Sequence, residues 1–253
     1  MRKRSTLTDL GALVLIALAG CDLPGKPKPG PEVPRPEQVL AFKTLYGANC
    51  AGCHGDSGQN GAATALANPE YQSLIDDASL REVIAKGEKG TLMPAFAQEN
   101  GGMLTDAQID VLVEGMRSSW RKQEAFGGEG PPPYKASHAG DAAKGQAVYA
   151  IACARCHGTS AQQQGTAGSI LDGSFLALIS EQTLRTTMIA GRPDIGEPDW
   201  RGHIPGRSMT DDEITNLSAW LMAQRPVNPG QPYPSASAIT STPAEKQPLA
   251  AQR

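Results

Sequence analysis

A chain of 253 residues with 23 basic and 26 acidic side chains carries a formal charge of −3 and a pI near 5.8, and so lacks the basic surplus that nucleic-acid binding requires. The length suits one large or two small domains. Aromatic residues make up only 5% of the chain, thin for cores of that size, so a bulky non-protein group would supply missing volume.

The first elements are not part of a fold. Arg2, Lys3 and Arg4 precede the apolar run "LGALVLIALAG" (10 to 20), which is too short for a comfortable membrane span and reads as a signal peptide over residues 1–20. Its end, "LAGC", resembles the bacterial lipobox, which implies cleavage before Cys21 and acylation of that cysteine. The mature chain would then begin at Cys21, carry a charge of about −5, and be held at the periplasmic side of the cytoplasmic membrane by a lipid anchor. Residues 21–36, with "DLPGKPKPGPEVPRP", predict an extended spacer rich in proline and lysine.

Two compact regions follow, 37–122 and 139–225, separated by a Pro/Gly-rich linker (123–138) and trailed by a Pro/Ser/Ala-rich tail (226–253) with no apolar periodicity. The regions are copies of one plan. "LYGANCAGCHG" (45–55) matches "VYAIACARCHG" (148–158) at an offset of 103, and "LREVIAKG" (80–87) matches "LRTTMIAG" (184–191) at 104. "LTDAQIDVL" (104–112) meets "MTDDEITNL" (209–217) at 105. Within each copy the elements are helical. Ser79 with Glu82 predicts one helix start, and Gly87 and Gly191 predict left-handed helix ends. Thr105 with Gln108 and Thr210 with Glu213 form capping boxes. Behind them, Ile109, Leu112, Val113 and Met116, and again Ile214, Leu217 and Leu221, recur at helical spacing and predict a buried face on each final helix. The expected class is all-α: two small bundles of three to five short helices.

"CAGCH" (50–54) and "CARCH" (153–157) are C-x-x-C-H sequences, the pattern of c-type haem attachment. Cys50 with Cys53, and Cys153 with Cys156, are spaced to form thioethers to the two vinyl groups of one porphyrin. The adjacent His54 and His157 then meet the iron. A thioredoxin-type pair would sit near a βαβ pattern, which is absent from the sequence. A four-cysteine zinc site would have to borrow half its ligands from each complete repeat.

On these residues each region resembles a class I cytochrome c domain, and the chain resembles the membrane-anchored dihaem cytochromes of bacterial electron-transport chains. The resemblance implies two covalently bound haem c groups and a Met-Pro loop whose methionine is the sixth iron ligand. That places Met93 of "LMPAF" opposite His54. In the second copy Glu197 of "EPDWRGHIPGRSM" falls in the register of Met93, and the sixth ligand is open between His203, new to this copy, and Met209, which aligns with Leu104. Glu197 itself, or water, remains as a weak ligand. The implied function is transfer of single electrons among redox proteins or membrane complexes, as a tethered shuttle or a respiratory-complex subunit, with no small-molecule substrate and no catalytic residues. The alternative is a haem enzyme or gas sensor built on an open second iron.

Overall fold

Side-chain caps set where most of the helices begin. The computed structural model describes residues 30, 32–163 and 165–227, so the signal segment 1–20, the acylation site Cys21 and all but the first two residues of the tail lie outside the described residues. The described residues before Val39 lie apart from the main unit and end in a 3₁₀ turn, Pro36–Gln38. All described residues from Val39 on belong to one compact unit.

In the first half, α1 (Phe42–Asn49) and the one-turn α2 (Ala51–His54) carry the first C-x-x-C-H. Helix α3 (Pro69–Leu74) is capped by Asn68, with proline at its first position, where the missing N–H costs nothing. Helix α4 (Asp77–Lys86) and the long α5 (Asp106–Trp120) complete the set. The second half repeats it as α6 (Ala142–Ala152), α7 (Ala154–His157), α8 (Gly173–Leu178), α9 (Glu181–Ala190) and α10 (Asp211–Ala223). There is no β-strand among the described residues, only isolated bridges. Among the described residues the fold is all-α, with two tandem bundles built on one plan.

Both expected capping boxes form, at Thr105 with Gln108 and at Thr210 with Glu213. The start of α4 differs from the sequence expectation. Asp76 is the N-cap, and Ser79 is the residue whose N–H it accepts at 2.7 Å. An Asp side chain three residues upstream outcompetes the Ser-to-Glu spacing, because its carboxylate also accepts the Ser79 hydroxyl. Ser180 holds the same position in front of α9.

Each core lies between the first and last helix of its half. In the first, Leu45 and Tyr46 meet Ile109, Leu112 and Met116; in the second, Val148 and Tyr149 meet Ile214, Leu217 and Leu221. The close crossing is made in opposite ways. Gly115 of α5 leaves room for the ring of Phe42, which a Cβ there would approach to 2.2 Å. At the matching positions the bulk changes sides: Gly145 of α6 faces Trp220 of α10, and a Cβ on it would lie 2.5 Å from the Trp220 Cβ and 2.1 Å from the Asn216 carbonyl oxygen. Consequently Tyr46 packs on Phe42 from its own helix at 5.8 Å between ring centroids as well as on Trp120 from α5 at 5.3 Å, whereas Tyr149 packs on Trp220 from α10 at 4.8 Å.

The segment between the halves is not a free spacer. Phe126 is buried against Trp200, and Tyr134 packs on the first core. The buried guanidinium of Arg185 donates to the Pro133 and Tyr134 carbonyls and pairs with Asp211, so the Pro-rich stretch is laid along α9. Proline and glycine set its backbone, while two aromatic anchors fix it in place.

Candidate metal centres

The local geometry around each C-x-x-C-H is the same. Cys50 and Cys153 close the first helix of their half and start the next turn, so the two cysteines and the histidine of each motif are spaced three and four residues apart within a single turn. Tyr46 donates its hydroxyl to the Gly55 carbonyl at 2.8 Å, and Tyr149 to that of Gly158 at 2.7 Å, tying the chain as it leaves each motif. Gly55 and Gly158 both stand at φ 83°, in the left-handed region open to glycine, and a Cβ on either would strike the backbone of the following loop.

The histidines are held by their inner nitrogens. His54 Nδ1 lies 2.8 Å from the Thr64 carbonyl oxygen and His157 Nδ1 lies 2.9 Å from that of Gly168, so each Nδ1–H donates; this leaves the His54 Nε2 its lone pair, whereas the His157 Nε2 faces the Glu197 carboxylate. This second-sphere bond fixes the tautomer and aims the ring for a metal. Both rings are buried. All four motif cysteines are free thiols, and they do not gather into a cluster that could hold zinc. Burial pushes the Cys50 thiol up to about 11 and that of Cys153 to about 12, the latter helped by the nearby Glu197 charge. A redox-exchange pair requires the opposite, a thiol acidified toward neutral pH. The donor set therefore fits covalent haem: two unpaired thiols per motif and a buried imidazole held through its Nδ1.

The opposite walls differ. Helices α4 and α9 end at Gly87 and Gly191, at φ 69° and 70°. In the first half Glu88 N–H then donates to the Met93 carbonyl at 3.1 Å; in the second, Arg192 N–H donates to the Glu197 carbonyl at 3.0 Å. Further on, Leu104 N–H reaches the Phe96 carbonyl and Met209 N–H that of Trp200, each at 2.8 Å. By its hydrogen bonding, then, the backbone puts Glu197 in the place of Met93 and Met209 in the place of Leu104. Met93 is half-buried, Met116 is in the core and Met103 is in solvent.

In the second site Glu197 Oε2 lies 3.3 Å from His157 Nε2, and Glu197 Oε1 lies 3.8 Å from His203 Nδ1. His203 is buried, with Nε2 3.2 Å from the Met188 carbonyl oxygen; Met209 is buried among the second core residues. Burial, the largest single influence, raises the Glu197 carboxyl, but the hydrogen bond from His157 and the charges of His203 and His157 together hold the group below its usual range. The same bond raises His157, whereas burial depresses His203. The structure thus brings Glu197, His157 and His203 together and leaves Met209 to packing contacts. The replacement of methionine by glutamate was visible in the sequence. Its approach to His157 required the folded loop.

Segments 37–114 and 140–221 both match the family described as cytochrome C oxidase, cbb3-type, subunit III. The chain belongs to that family. It is a dihaem c-type cytochrome, and its two motifs account for two covalent haem c groups. It is 30% identical over 220 residues to the cbb3-type cytochrome c oxidase subunit CcoP of Azospirillum sp. (strain B510), covering 75% of this chain and 65% of that one. It is 29% identical over 195 residues to the cbb3-type cytochrome c oxidase subunit FixP of Bradyrhizobium sp. (strain ORS 278), covering 68% and 60%. To the FixP subunit of Bradyrhizobium diazoefficiens it is 27% identical over 175 residues, covering 64% and 54%. The chain thus spans less than two thirds of the length of each of these relatives.

Proposed function

We propose that this cytochrome carries single electrons between redox partners outside the cytoplasmic membrane, as a tethered shuttle or as the electron-transfer subunit of a respiratory oxidase complex. Bound haem iron supplies the chemistry, a one-electron exchange between ferrous and ferric states. The chain does the rest. Cys50, Cys53, Cys153 and Cys156 hold the porphyrins as thioethers. His54 and His157, fixed through Nδ1, present Nε2 to the metal. Met93 gives the first site a thioether sulfur, and Glu197 stands at the matching place of the second.

The observation that carries this reading is the duplicated buried histidine with a backbone-bonded Nδ1 beside two unpaired thiols. The likeness to oxidase subunits supports a membrane respiratory complex as the partner. Between the sequence candidates His203 and Met209, the geometry favours neither as the nearest group to His157. His203 spends one nitrogen on Met188 and flanks Glu197, and Met209 fills the core. The Glu197 carboxylate opposite His157 also counts against an open, gas-binding second iron. Anchorage through acylated Cys21 follows from the sequence, and no described helix is long and apolar enough to cross a membrane.

Expression of the full chain in a host that matures c-type cytochromes tests the proposal. Alkaline pyridine spectra should report two c-type haems per chain, Cys50→Ala/Cys53→Ala and Cys153→Ala/Cys156→Ala should each lose one, and Cys21→Ser should release the protein from membranes. An unmodified mass, or zinc in place of haem, would refute the cofactor assignment; membrane retention of Cys21→Ser would refute the anchor.

A further inference from the structure

The two halves meet through a set of polar contacts that reach both metal centres. Asn68, the cap of α3, donates to the carbonyls of Ala190 and Gly191 at the end of α9, at 2.9 and 3.0 Å. Immediately after them Arg192 leaves its backbone in the second half and sends its side chain into the first. The backbone forms a two-bond bridge with Glu197, N–H to carbonyl in both directions at 3.0 Å, and so belongs to the wall opposite His157. The guanidinium donates to the Gly61 carbonyl at 3.0 Å and makes a two-pronged pair with Asp194 at 2.8 and 2.9 Å. Asp194 Oδ2, one of the two oxygens paired with the guanidinium, also accepts the Asn60 N–H at 2.9 Å. Both side chains are nine-tenths or more buried.

Asn60 and Gly61 belong to the loop that holds the first histidine. Gly61 is pressed on the backbone of Cys53 and His54, and Thr64, three residues on, accepts from His54 Nδ1. Ala63 N–H donates to the Cys53 carbonyl at 3.0 Å. The clamp therefore grips the support of the first site with residues of the second, and the Arg192 charge lies within electrostatic reach of His54.

We propose that Arg192 and Asp194 are positioning residues that couple the two haem sites, fixing the His54 loop from the second domain and placing a balanced pair of charges beside the first site. This rests on the assignment of His54 to the first haem. The chemistry gives each residue a sign. Ferric haem carries one more positive charge than ferrous, so an unbalanced anion nearby stabilises the oxidised form and an unbalanced cation the reduced form. Removing the arginine leaves Asp194 alone; removing the carboxylate leaves Arg192 alone.

Spectroelectrochemical titration of the full dihaem protein tests the coupling. Arg192→Gln should lower the midpoint of the Met93-side haem, Asp194→Asn should raise it, and Arg192→Gln/Asp194→Asn should return it toward the wild-type value. Shifts of the same sign in both single variants would show mere loosening of the loop and overturn the proposal, as would midpoints that do not move. Helical circular dichroism and two intact c-type spectra in each variant establish that a folded protein is being titrated. Failure of the haem assignment is distinct, since it appears as a missing haem in the wild type.

Discussion

The two halves share one plan and differ at two places that matter, the helix crossing and the wall opposite the histidine. At the crossing, small and large residues have exchanged helices: Phe42 against Gly115 in the first half, Gly145 against Trp220 in the second. The total bulk is retained while its donor changes, which is how a duplicated core drifts without losing density. At the metal wall nothing compensates. Met93, a soft neutral sulfur, stands where the second half has the hard anionic carboxylate of Glu197, and the carbonyl of each accepts from the residue that follows the helix-ending glycine. The contrast teaches that packing tolerates reciprocal exchange, whereas a change of donor atom alters the chemistry of the site.

The crossing gives the larger stability effect. Gly145→Ala drives a methyl into the Asn216 backbone carbonyl, which cannot swing aside, and should cost about 2–3 kcal/mol, the upper part of the overpacking range. Gly115→Ala meets first the ring of Phe42, a side chain that can shift, and should cost about 1 kcal/mol, with Phe42→Leu relieving it. Chemical denaturation of the four proteins measures this; an equal cost at both glycines would contradict the reciprocal reading.

A smaller difference lies in the caps of the final helices. Glu213 bonds to Arg207 at 2.6 and 2.7 Å, which holds its carboxyl down at about 2, while the matching Gln108 carries no charge. A carboxyl depressed in the folded state contributes stability above its unfolded value, about 4.3, and loses it as pH falls toward 2. Amide protection at the start of α10 should therefore fall over that interval more than at the start of α5, by a modest amount because the pair is solvent-exposed. Glu213→Gln should abolish the excess, and equal acid loss in both helices would rule out the pair as its cause.

Much of this was legible in the sequence because it is local. C-x-x-C-H, Thr105 with Gln108 and Thr210 with Glu213 act over a single turn, and the repeat offset alone put Glu197 in the register of Met93. The Asp76 cap was missed because two acceptors compete within four residues and only the folded turn chooses between them. The linker is marked in the sequence by its prolines and glycines, but composition does not show that Phe126 and Tyr134 fix its placement. The Arg192 and Asp194 clamp has no sequence signal at all: its partners Asn60 and Gly61 lie more than 130 residues away. The approach of Glu197 to His157 likewise depends on how a loop closes over a helix end.

The central claim is that the two metal centres are unlike, one backed by Met93 and the other by Glu197. A redox titration of the purified full-length protein, followed by optical and EPR spectra beside the Glu197→Met variant, tests it most directly. The account predicts two separated midpoints in the wild type, a methionine-to-iron charge-transfer band for only one haem, and the lower midpoint for the Glu197 side. Glu197→Met should raise that midpoint across a sizeable part of the roughly 0.8 V that axial ligands command, and add the second band. Two methionine-type bands already present in the wild type, or a low-spin bis-histidine signal that vanishes in His203→Ala, would contradict it.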